Sequence, residues 1–187
     1  MDFQLDGEHN LTFGFHNTLY RFNPGVLKPL SPNSNVPLIK MNAEESLESA
    51  LYVSDGFNLS EKLFLEAGLR FSAFNRFGPA TVYRYDGPRE TQNIKDSVVY
   101  DAGDVSKSYY AAEPRISFRH NIGVNSSIKL GYHRMVQYMH LVTNTAAMTP
   151  TDIWQSSNAY FKPQVADQIS AGIFHNLKDN MFETFLE

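Results

Sequence analysis

The chain has 187 residues, 42% of them hydrophobic, and its 16 Lys and Arg against 20 Asp and Glu give a net charge of -4. That is enough apolar content for an ordered domain, and the charge balance excludes the polybasic footprint of a general nucleic-acid binder. The absence of Cys excludes a disulfide framework, a thiolate metal site and a Cys nucleophile. No run approaches the ~20 apolar residues of a membrane-crossing helix, and residues 1–10 lack the shape of a signal peptide.

Period-two alternation runs through the whole chain and predicts seven strands. Over 10–22, Leu11, Phe13 and Phe15 alternate with Thr12, Gly14 and His16. A long connection, 23–43, then carries Pro24, Pro29, Pro32 and Pro37. Over 44–56, Leu47, Leu51 and Val53 alternate with Ser46, Glu48, Tyr52 and Ser54, and a short turn over 56–61 follows. The clearest strand is 62–75, where Leu63, Leu65, Ala67, Leu69, Phe71 and Ala73 share one side and Glu66, Gly68, Arg70 and Ser72 the other. A helix does not sort residues in this way. After a long connection over 76–109 come strands at 110–120 and 126–138, joined by a short turn holding Gly123. Another long connection, 139–164, leads to strands at 165–176 and 180–187, joined by a short turn.

Long and short connections therefore alternate strictly. In an antiparallel up-and-down meander that order gathers every long loop at one end and every short turn at the other. Barrels of the bacterial outer membrane are sorted in this way, and a soluble sandwich has no reason to be. Eleven residues from Leu63 to Ala73 also match the ~9–11 of a tilted membrane strand. Tyr20, Phe22, Phe74 and Tyr138 fall where strands enter long loops, where an outer aromatic girdle would lie. Gly14, Gly68, Gly131 and Gly172 all fall on the polar parity, which reads as relief of crowding on a concave side.

The expected fold is thus all-β, an antiparallel meander forming part of an outer-membrane β-barrel. Seven strands do not make a complete barrel of the usual even type, and an open strand edge in lipid costs several kcal/mol per exposed backbone group. At about 27 residues per strand, the ~22 strands of the largest plugged barrels would need roughly 600 residues. The chain is accordingly read as a fragment, 1–187, of a larger barrel domain.

The wording of the last third is more specific. Glu113-Pro114-Arg115-Ile116-Ser117 is followed by Ser127-Ile128-Lys129-Leu130-Gly131-Tyr132, then Gln137-Tyr138-Met139-His140-Leu141, Thr149-Pro150-Thr151-Asp152-Ile153-Trp154 and Lys162-Pro163-Gln164-Val165-Ala166-Asp167-Gln168-Ile169-Ser170. Upstream stand Ala50-Leu51-Tyr52 and Ala67-Gly68-Leu69-Arg70-Phe71. This ordered set resembles the barrel of TonB-dependent outer-membrane receptors, in the group whose N-terminus carries a carboxypeptidase-regulatory-like domain. The resemblance is strong from residue 110 onward and weak before residue 40. It implies uptake of a scarce nutrient of the siderophore, cobalamin or glycan class, in the outer membrane of a Gram-negative bacterium. The implied partners are outer-membrane lipid, a plug domain of the same parent chain, and TonB, which is met only through an N-terminal region not recognisable here.

Candidate chemistry is sparse. Of six His, His133 and His140 lie seven apart with no metal-ligand spacing around them, so neither a metal nor another cofactor is expected. No nucleophile motif, phosphate loop or dinucleotide fingerprint occurs, so no catalysis is expected. The third long loop holds the only Trp, and Tyr138, His140, Asp152 and Trp154 are its candidate ligand residues. Arg70, Arg115, Arg119 and Lys129 share the inward parity with Glu48, Glu66 and Gln168, as candidate lumen-facing residues that form ion-pair ladders or guide an anion. Two alternatives stand beside the receptor: a soluble sandwich burying Leu63, Leu65, Leu69 and Phe71 against a second sheet, and an outer-membrane enzyme using His140 with Asp152.

Overall fold

The computed structural model describes residues 2–5, 9–23, 25–29, 31, 38–40, 42–142, 153–177 and 181–186. They form fourteen strands and one 3-10 turn, Thr91–Asn93. Eight strands build one antiparallel sheet in the order β1 (Asp2–Leu5), β2 (His9–Phe22), β5 (Glu44–Ser60), β6 (Leu63–Phe77), β9 (Val105–Asn121), β10 (Ser126–Gln137), β13 (Gln164–Leu177) and β14 (Phe182–Leu186). Each strand pairs with its nearest predecessor in the sheet, so the sheet is a meander, and β1 and β14 are its unjoined edges. The architecture is an unclosed barrel.

All seven expected strands are present, with shifted limits. β5 runs on to Ser60, because Phe57 continues the outer row opposite Leu65 and the irregularity between Asn58 and Ser60 leaves only Glu61 and Lys62 for the turn. β9 begins at Val105 instead of 110, since Lys107 and Ser108 carry no apolar signal yet pair with β6 at Arg76 and Asn75. β1 was not anticipated; four residues are too short to display a period. The long connections hold small hairpins of their own: β3 (Val26–Leu27) with β4 (Ile39–Lys40), β7 (Ala80–Tyr85) with β8 (Ile94–Tyr100), and β11 (Met139–Val142) with β12 (Ile153–Ser156).

The register assigns every side chain to a face. One face carries Tyr20, Ser46 and Arg76 in one row, Thr18, Glu48, Phe74 and Tyr109 in the next, and Gly14, Tyr52, Arg70 and Glu113 in a third. This is called the inner face. The other, the outer face, carries Phe15, Leu51, Phe71 and Ala112 in one row and Phe13, Val53, Leu69 and Pro114 in another. Burial falls on the inner side: among the described residues the buried hydrophobic side chains are Ala50, Phe74 and Tyr138. The outer side is bare, with Phe15, Leu51, Leu69, Phe71 and Ile169 all exposed.

The aromatic girdle expected at Tyr20, Phe22, Phe74 and Tyr138 is not there. Tyr20, Phe22 and Phe74 lie on the inner parity, and Tyr138 packs on Phe74 with ring centroids 4.8 Å apart and planes 4° from parallel. Their even parity decides the matter, because the apolar outer rows of β2 and β6 are odd. An aromatic that does sit on the outer face near the long loops is Tyr110, opposite Ala73 and stacked at 6.4 Å on Phe71.

Candidate functional site

The inner face has two zones. Toward the long loops it is a closed polar network. Arg70 lies between two carboxylates, donating to Glu48 at 2.7 Å and pairing with Glu113, whose side chain is almost fully buried. Tyr20 donates to Glu48 at 3.1 Å. Ser72 donates to Glu113 at 2.9 Å, so its single proton is used and the Tyr138 hydroxyl, 2.8 Å away, donates to the Ser72 oxygen. Burial pushes the Tyr138 hydroxyl up from its ordinary pKa, so it keeps its proton for that bond.

The third long loop returns onto this network. Ser156, Ser157 and Asn158 are buried against the inner face, although all three are polar. Their hydrogen bonds explain how. Glu44, paired with Arg76 at 2.8 Å, accepts from the Ser156 amide at 3.1 Å and the Ser156 hydroxyl at 2.8 Å. The Ser157 amide donates to the Tyr138 carbonyl at 2.8 Å, and Tyr109 donates to the Asn158 carbonyl at 2.7 Å. His140 Nε2 lies 2.9 Å from the Ser157 hydroxyl, and burial lowers the pKa of that imidazole. Just beyond, the Tyr160 hydroxyl accepts the Tyr83 amide at 2.6 Å and donates to the Tyr83 carbonyl at 3.2 Å, tying this loop to the β7–β8 hairpin.

Of the ligand-loop candidates, Tyr138 and His140 therefore sit inside the fold of the loop. Trp154 lies opposite Leu141 in the β11–β12 hairpin and is 49% exposed. Asp152 lies outside the described residues. The residues that fasten the loop, Glu44 and Ser156 to Asn158, were not singled out from the sequence. Short polar side chains in a loop look alike until the backbone brings them to a carboxylate.

Toward the short turns the inner face is open and cationic. Arg119 stands directly opposite Lys129, Arg115 opposite His133, and Gln168 on the far side of His133. Glu66 lies across from Ser117. Arg119 lies over the Phe64 ring at 5.2 Å and Lys129 over Phe174 at 3.9 Å. The six lumen candidates thus share one face, but only Arg70 has a salt bridge among the described residues. A cavity of about 540 Å³, lined among others by His16, Ser54, Glu66, Arg115, Ser117 and His133, opens here. Among the described residues no group of three His, Asp or Glu could hold a metal.

The outer face carries its own geometric signal. Its apolar run is centred near Phe15 in β2, between Leu11 and Leu19, and near Leu130 in β10, between Ile128 and Tyr132. The register leads from Leu130 through Phe118, Leu65 and Phe57 back to His9 in β2. The band has slid from position 15 to position 9 in four strand steps, about 1.5 residues per step; at ~3.3 Å per residue and ~4.8 Å between strands, that is a tilt of about 45°. Strands of outer-membrane barrels tilt by ~35–45°. Polar pairs bound the band: Arg21–Glu45 at 3.2 Å and Arg134–Asp167 at 2.8 Å toward the long loops, and His9–Asp55 at 2.7 Å toward the short turns.

A sandwich would place Leu63, Leu65, Leu69 and Phe71 against a second sheet. They lie on the outer face instead, where Leu69 and Phe71 are exposed. No curated protein and no solved structure matches the chain. A family model described as TonB dependent receptor-like, beta-barrel, matches residues 1–183. With an antiparallel meander, sorted loops, a polar inner wall and a tilted apolar band already in place, the chain belongs to that family of outer-membrane transporters of Gram-negative bacteria.

Proposed function

We propose that this chain is part of the wall of a nutrient receptor in the outer membrane, energised through TonB and without catalytic activity of its own. The observation that carries this reading is the apolar band, which crosses the strands at about the angle a membrane slab would cut. The unjoined edges β1 and β14 call for further strands of the same parent chain, since backbone groups cannot be left bare in lipid. The partners proposed are membrane lipid on the outer face, a plug domain within, and TonB through a region N-terminal to the barrel. The long-loop end faces outward and meets a small nutrient of the siderophore, cobalamin or glycan class. Trp154, with Tyr138, His140 and Asp152 in the same loop, belongs to that mouth.

The test is topological. The intact receptor is produced with an epitope inserted either at 86–90, in the β7–β8 connection, or at 122–125. Outer membranes are separated, and unheated gels are run for the mobility shift of a folded barrel. The first epitope is expected to be reached by antibody on whole cells and the second only after lysis. Surface display of the 122–125 epitope, or release of the protein by a carbonate wash, would overturn the reading.

A further inference from the structure

From the outer face we infer that the wall around Asn17 and Ser49 is a contact between two copies of the receptor, in which the Asn17 side chains hydrogen-bond to each other across a two-fold axis within the membrane. This rests on the receptor reading and adds a partner for one part of the outer wall.

The outer run is apolar or aromatic without a break from Leu63 to Ala73 in β6, from Tyr110 to Phe118 in β9, from Ile128 to Tyr132 in β10 and from Ile169 to Ile173 in β13. Between Leu11 and Leu19 in β2 it is broken once, by Asn17, and between Leu47 and Val53 in β5 once, by Ser49. The register makes these two residues direct cross-strand partners. They are not margin residues. Arg21 and Glu45, the pair that bounds the band, lie four residues away along each strand. Asn17 is two residues from Phe15, about 7 Å along the strand at ~3.3 Å per residue and about 5 Å in depth at the tilt of the band. That is well within an apolar band ~25 Å tall. Asn17 is exposed, and among the described residues no hydrogen bond holds its amide. A primary amide offers two N–H donors and an oxygen with two lone pairs, more than the one hydroxyl of Ser49 meets. Hydrocarbon meets none of them, so the remainder calls for a polar partner in the membrane.

The chemistry selects a second copy. An amide is its own complement: across a two-fold axis each Asn17 donates an N–H to the other's side-chain carbonyl, and both copies present the same patch. On the short-turn side of Asn17 the outer face opens a groove of about 520 Å³, lined among others by Phe13, Phe15, Leu51, Val53, Leu69 and Phe71. It receives apolar side chains of the facing copy. Four strands at ~4.8 Å spacing, across a band ~25 Å tall, present about 480 Å². Two copies together cover about 1,000 Å², the area at which a contact becomes a stable interface.

The experiment uses the intact receptor in its outer membrane, with the unaltered receptor as the blank. This chain has no Cys, so Asn17→Cys places one reporter thiol at the contact and Ile169→Cys one on the distant outer wall. Oxidation in the membrane is expected to give a dimer band on non-reducing gels for Asn17→Cys and none for Ile169→Cys. Receptor extracted with its native lipid is then counted by single-molecule photobleaching. Asn17→Leu is expected to reduce the dimer fraction by about tenfold, because both reciprocal bonds are lost. Asn17→Gln, which keeps the amide, is expected to retain it. The unheated-gel shift checks that each variant is folded. A folded receptor that is monomeric with Asn17 in place, that stays dimeric as Asn17→Leu, or whose Asn17→Cys captures a different protein overturns this inference and leaves the receptor reading standing. A protein that does not reach the outer membrane overturns both.

Discussion

Gly14 stands directly opposite Tyr52, and a Cβ there would come within 2.3 Å of the tyrosine hydroxyl. The ring lies across the bare backbone, so the glycine is a seat for an aromatic on the inner wall. Gly14→Val is expected to displace Tyr52 and destabilise the barrel by about 1–3 kcal/mol, as overpacking does, read as a lower melting temperature of the gel shift. Glu113 is more costly to lose. Its carboxylate serves both Arg70 and Ser72 from a nearly fully buried site. Glu113→Ala is expected to cost about 3 kcal/mol, the low end for a broken buried pair because Glu48 still holds Arg70. Glu113→Gln retains an acceptor for Ser72 and is expected to lose less in the same melt. His140 gives the loop a pH dependence. Its folded pKa lies below the ordinary value near 6.5. Its contribution is then complete above that value and fades as the pH falls through the lowered one. Trp154 lies in the β11–β12 hairpin, so the difference in emission between the intact receptor and its Trp154→Phe variant reports on this hairpin. Acidification below pH 6 is expected to change that emission, and His140→Gln to flatten the change.

Among the elements, the third long loop and the β7–β8 hairpin behave as one piece because a single hydroxyl joins them twice. Tyr160→Phe removes both bonds to Tyr83 and leaves the ring contact with Tyr85. Faster amide exchange in 80–100, with no change in β5 or β6, is the expected outcome. The strands themselves were legible because alternation in Leu63–Phe74 and its counterparts is a local pattern, and one face of each is apolar. Loop ordering gave the meander for the same reason. The inner network was half legible: parity placed Arg70 with Glu48, but nothing in the sequence brought Glu44 to Ser156, 112 residues away. Aromatic position misled, since nearness to a strand end says nothing about which side a ring faces. Phe74 at an even position was enough to turn it inward.

For the whole molecule, the outer band makes a depth-dependent prediction. Leu51, flanked by Phe15 and Phe71, lies well inside the band, whereas Ser108 lies beside Asn75 near its long-loop margin. Leu51→Lys is expected to cost about 2–4 kcal/mol and Ser108→Lys about 0–1 kcal/mol, measured as folding yield of the intact receptor into lipid vesicles of fixed thickness. Equal losses at the two positions would mean that the face is not immersed. The slant of that band also governs how the ring can be completed. From β2 to β10 the band slides along the register, so a row of paired residues followed across the sheet changes its depth in the lipid. Whatever strands close the circle must carry the accumulated stagger back to its origin. A second copy laid edge to edge would continue the greasy belt only in the one register that keeps the same stagger across the seam.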